Sequence, residues 1–226
     1  MESAERGAWS VERKGDGDGM KVKVSYGAVL MAAGVSLLGA VDVWRRGLSR
    51  EEVWAGVFPW LVIVMAVLIH ELGHVAVAFC TRIRIRGMTL DLFGARLELG
   101  GMLSYGQECG IAAGGPLANF LTVAMLYPIR GIRETEGGAL FLWASVILGG
   151  LNLLPVGTLD GGHILRSALA WVIDDRVAEA VLRGTTLLVL TLLWMLAVYA
   201  LLRKGQMLSL FAFSLCLLVR TAKRDL

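Results

Sequence analysis

Residues 62–80 read VIVMAVLIHELGHVAVAFC, an apolar run in which His70, Glu71 and His74 are the only acidic, basic or imidazole side chains. A helix turns once every 3.6 residues, so His70 and His74, four apart, stand one above the other on one face, within reach of a single metal ion. Glu71 sits beside them as a carboxylate able to take a proton from a metal-activated water. This is the His-Glu-x-x-His arrangement, in which zinc takes two imidazoles and the glutamate acts as general base. The same five-residue pattern also occurs by chance on soluble helices, where its side chains are simply solvated. In a membrane-length apolar helix that explanation is expensive, because unpaired ionisable groups at that depth cost several kcal/mol. Metal binding removes the cost.

The rest of the chain agrees with a lipid environment. Of its 226 residues 56% are hydrophobic and 18% charged, and the mean hydropathy is +0.66, above what soluble domains carry. The net charge is +3, with the basic residues scattered among loops, which speaks against a nucleic-acid partner. Cys80, Cys109 and Cys216 are too few and too isolated for a disulfide framework or a thiolate metal site, and read as small core residues.

Apolar segments near the ~20 residues needed to cross the hydrocarbon core fall at 26–44, 53–80, 108–127, 138–154, 185–202 and 207–219. The expected fold is therefore an all-α polytopic membrane protein with about six transmembrane helices, and a small β-hairpin element between the second and third. The hairpin is read from Arg82-Ile83-Arg84-Ile85-Arg86, which alternates strictly, and from shorter alternating stretches on either side of Gly94. Residues 1–19 are polar, end in Gly15-Asp16-Gly17-Asp18-Gly19 and lack the remainder of a calcium-loop pattern. They are expected to be a flexible, dispensable tail with no cleavable signal peptide, leaving residues 20–226 as one membrane domain. Residues 155–184 are expected to form a loop. Of the 22 Lys and Arg, seven (Arg45, Arg46, Arg50, Arg130, Arg133, Arg203 and Lys204) fall on one side of the membrane and 15 on the other. The positive-inside rule then puts both termini in the cytoplasm, with His70, Glu71 and His74 near that face and Asn152, Pro155 and Asp160 delivered to the same depth.

A catalytic zinc needs a third protein ligand and an open position for water. Asp160 and His163, in Leu159-Asp160-Gly161-Gly162-His163, are both chemically suitable, and Asp160 is favoured only slightly.

Three motifs taken together carry a resemblance. His70-Glu71-Leu72-Gly73-His74, Gly114-Gly115-Pro116-Leu117-Ala118-Asn119, and Asn152-Leu153-Leu154-Pro155 followed by Leu159-Asp160-Gly161-Gly162 resemble the site-2 protease family of intramembrane zinc metalloproteases, peptidase family M50. The similarity runs from about Met20 onward and is greatest to the stage IV sporulation FB-type branch. It implies zinc held by His70, His74 and Asp160, which moves Asp160 ahead of His163. It also implies Glu71 as catalytic base, and Asn119, Asn152 and Pro155 as residues that shape the site or hold substrate. Relatives often have proline where this chain has Thr158, which alters the turn before Asp160. Some carry nucleotide-binding or PDZ modules, and regulation through such modules is not expected here.

The expected function is hydrolysis of a peptide bond within or near the membrane segment of a protein substrate, a membrane-associated regulator such as a transcription-factor precursor. Membrane inhibitor proteins are implied partners, and the expected location is a bacterial cell membrane, crossed several times. The alternatives are a metal transporter, which needs a polar path to the far side that segments one, five and six do not offer, and a non-catalytic scaffold, which has no need to keep Glu71 and every ligand.

Overall fold

A computed structural model describes residues 8–10, 21–25, 47, 49–91, 94–101 and 103–204. The segments expected at 26–44 and 207–219 lie outside the described residues.

The first long helix, α1 (Arg50–Cys80), is started by a capping box. The Ser49 hydroxyl accepts from the Glu52 backbone N–H at 3.3 Å, and the Glu52 carboxylate accepts from the Ser49 backbone N–H at 2.8 Å. It stops where the Thr81 hydroxyl donates to the Val77 carbonyl at 2.8 Å and Arg82 turns to φ 57°, a left-handed conformation that breaks the helix. The chain then runs into a sheet of four strands in the order β1 (Ala8–Ser10), β2 (Lys21–Ser25), β3 (Arg84–Asp91), β4 (Gly94–Gly100). β3 and β4 pair antiparallel, from Arg84 opposite Gly100 to Asp91 opposite Gly94, with a register shift between Ile85 and Gly87. β2 joins β3 in parallel and β1 antiparallel. The sheet is thus wider than a hairpin, and Ala8–Ser10, inside the stretch expected to be a flexible tail, forms its outermost strand. Lys21-Val22-Lys23-Val24 alternates like a strand, and a strand with an open edge offers unpaired backbone groups to any nearby extended segment.

Four further helices and one single turn follow: α2 (Tyr105–Leu126), the turn α3 (Arg130–Arg133), α4 (Glu136–Asn152), α5 (Asp160–Val172) and α6 (Asp175–Lys204). Among the described residues three helices, α1, α2 and residues 175–199 of α6, are long and apolar enough to cross a membrane. α4 has 17 residues. The expected loop at 155–184 is largely helical instead. Its apolar positions are interrupted by Asp160, His163 and Arg166, which hides α5 from a search for apolar runs, and α6 begins ten residues before the apolar segment expected at 185.

α1 packs along α2 and α4, α2 also touches α5, and α5 lies on α6. The α1–α2 crossing is set by glycine. A Cβ on Gly73 would strike the Gly114 carbonyl oxygen and stand 2.7 Å from Ala118 Cβ, and one on Gly114 would stand 2.6 Å from the Gly73 carbonyl oxygen. Backbone meets backbone, the close approach that small residues permit between helices in lipid. The outward side of α1 is apolar and open, with Trp60 at 67%, Leu72 at 63% and Phe79 at 81% exposure. Such a surface suits acyl chains rather than water.

Candidate metal centre

The turn from Leu153 to Leu159 brings α5 back against α1 and α2. Val156 is completely buried and packs with Leu159 and Leu190. The Leu159 backbone N–H donates to the Val156 carbonyl at 2.9 Å, and the Gly157 N–H donates to the Thr186 hydroxyl at 3.0 Å. Buried packing and these bonds shape the turn that Thr158, in place of proline, left open. Gly161 and Gly162 let α5 begin directly on it, because a Cβ on the first would strike the Leu153 carbonyl and on the second the Val156 carbonyl. Asp160, the first residue of α5, is thereby pressed toward α1.

Its carboxylate meets both histidines. Asp160 Oδ2 lies 3.0 Å from His70 Nε2 and 3.4 Å from His74 Nε2, and the three candidate ligand atoms all fall within 4.8 Å of one another. The two rings stand edge to face with centroids 4.9 Å apart. His74 Nδ1 donates to the Ile111 carbonyl at 2.7 Å. A carbonyl only accepts, so the proton is on Nδ1, and in the neutral ring this turns the Nε2 lone pair toward Asp160. Gly115 supplies the room: a Cβ there would stand 2.6 Å from His70 Nε2 and would strike His74 Nε2. Two imidazole nitrogens and one carboxylate oxygen, converging on a space that a single methyl group would fill, suit a divalent transition metal.

The other sequence candidates are distributed around this trio. Glu71 follows His70 on α1 and is half-buried. Asn119 is fully buried, with its amide nitrogen 3.3 Å from His70 Nδ1. Asn152 donates to the Leu148 carbonyl one turn back on its own helix, at 3.0 Å. Pro155 lies half-buried in the turn that precedes Val156. His163 stands apart from the trio, its Nδ1 3.9 Å from Glu108 Oε1. Two participants were not singled out from the sequence: the Ile111 carbonyl, which leaves no mark in a side-chain pattern, and Gly115, whose signal was the unbroken Gly114-Gly115-Pro116 run.

A helical membrane protein with a histidine, histidine and aspartate centre between its helices is the class that fold and site define. The family model described as Peptidase family M50 matches residues 138–196. A zinc metalloprotease of Methanocaldococcus jannaschii is 29% identical over 128 residues, which cover 54% of this chain and 37% of that protein. Stage IV sporulation protein FB of Bacillus subtilis is 33% identical over 110 residues, 46% of this chain and 38% of its own length. The chain therefore spans less than half the length of these curated relatives. Among solved structures, the site-2 protease from Methanocaldococcus jannaschii has the same fold, with a TM-score of 0.64 and 18% identity over 96% of this chain and 94% of that one. The chain is thus similar to peptidase family M50 over residues 138–196 and to curated zinc metalloproteases over about half of its length, and it shares the fold of a site-2 protease.

Proposed function

We propose that this chain is an intramembrane zinc metalloprotease that hydrolyses a peptide bond within or near the membrane segment of a protein substrate, a membrane-associated regulator such as a transcription-factor precursor. The observation that carries this reading is the convergence of His70, His74 and Asp160 at the head of a buried helix crossing, with Glu71 next in sequence to the first ligand. His70 and His74 through Nε2, and Asp160 through its carboxylate, are the residues to hold zinc. Held there, zinc would supply Lewis acidity for a carbonyl oxygen and for water. Glu71, half-buried beside the ligands, takes the water's proton onto its carboxylate and returns it to the departing amine. Asp160 offsets the metal's charge while leaving both imidazoles neutral. A substrate helix shields its own peptide bonds, so it must be locally unwound before Glu71 and the ligands can act on it. The basic-residue asymmetry supports an orientation with both termini in the cytoplasm and the centre near that face of a bacterial membrane.

The test is Glu71→Gln in the full chain, co-expressed with a membrane-anchored substrate. Zinc content equal to the wild type, together with loss of cleavage, is the expected result. A Glu71→Gln variant that still cleaves removes the glutamate from the mechanism.

A further inference from the structure

Asn119 on α2 is completely buried, yet its amide is only half satisfied. Nδ2 faces His70 Nδ1 at 3.3 Å, while Oδ1 has no hydrogen-bond partner among the described residues. A bare buried carbonyl oxygen is costly, so one kept beside an imidazole calls for a donor. His74 shows which kind of donor the centre uses. Its Nδ1–H goes to the Ile111 carbonyl, and this leaves the Nε2 lone pair turned toward Asp160. His70 aims the equivalent nitrogen at the same Asp160 oxygen. For that nitrogen to bind a metal, the ring proton must sit on Nδ1 and must find an acceptor. The group facing Nδ1 is the Asn119 amide, and a half-turn about its terminal bond exchanges nitrogen for oxygen without moving the rest of the side chain.

We propose that Asn119 is a positioning residue for His70, its amide oxygen accepting the Nδ1 proton and so fixing the ring with its Nε2 lone pair toward the metal. The inference rests on the metal-centre reading above. It also gives α2 a single logic. Ile111, Gly115 and Asn119 are spaced four apart and share one face of the helix. One end of that face orients His74, the middle leaves room for the ligands, and the other end orients His70.

The test compares Asn119→Asp with Asn119→Leu in the full chain in detergent. Zinc affinity is read by competition against a chelator, and the melting temperature of each metal-stripped protein is read alongside. Aspartate keeps an acceptor and no amide N–H, so it should bind zinc as the wild type does. Leucine, of similar size with no acceptor, should weaken affinity about 10- to 100-fold with the metal-stripped melting temperature unchanged. Wild-type affinity in Asn119→Leu, or an Asn119→Asp as weak as the leucine variant, overturns the proposal. If Asn119→Leu does not fold, the aspartate variant decides alone. A wild type that takes up no zinc brings down the metal centre itself, an outcome distinct from either variant result.

Discussion

α5 is held against its neighbours in two places of opposite character. At its first residue, Asp160 meets two histidines across a glycine-lined space, in close and mostly buried contact. Six residues on, Arg166 reaches Glu108 of α2 at 3.5 Å, and Asp175 and Glu179 of α6 at 3.7 and 3.5 Å, in a half-exposed ionic cluster that the Tyr105 hydroxyl joins by donating to Asp175 at 2.7 Å. The first contact is steric and tolerates almost no change of shape. The second is electrostatic, shares its charge among several long side chains and is open to screening. Geometry is fixed at the buried end, and the exposed end only tethers.

That contrast can be broken at three points, in descending order of effect. Asp160→Ala should lower zinc from about one per chain to near zero by elemental analysis, while His163→Ala, paired with Glu108, should keep about one. The reverse pattern would move the third ligand to the exposed cluster. Gly115→Ala places a methyl group against both imidazoles, so it should lower stability by about 1–3 kcal/mol and weaken zinc binding as well, read as melting temperature and chelator competition. Arg166→Ala should cost about 1 kcal/mol or less, with the loss in melting temperature shrinking in high salt. If the arginine variant destabilises as much as the glycine variant, and salt does not matter, the exposed cluster is a structural element of equal rank.

The parts of the centre differ in how plainly the sequence announces them. His70, Glu71 and His74 stand out because lipid-facing apolar residues surround them, and polar groups in that setting need a reason. Asp160 against His163 is undecided by chemistry, since both are sound ligands three residues apart. The structure separates them through Gly161 and Gly162, whose missing side chains let α5 start close enough for its first residue to reach α1. α5 itself is obscured by its polar interruptions. The sheet is obscured for another reason: β2 and β3 pair across an intervening helix, and no local pattern encodes a partner so distant in the chain. Gly73 and Gly114 belong to motifs visible in the sequence, but their meaning, a contact between two backbones, requires the two helices to be seen together.

That contact has a consequence for how the protein tolerates change over generations. At an ordinary core position, a side chain that grows is rescued when a neighbour shrinks, and the pair drifts together. The neighbour of Gly73 is the Gly114 carbonyl, and that of Gly114 is the Gly73 carbonyl. Every amino acid has a carbonyl, so no second-site substitution makes room. The crossing can be lost in a single step and cannot be repaired by compensation at the position it touches.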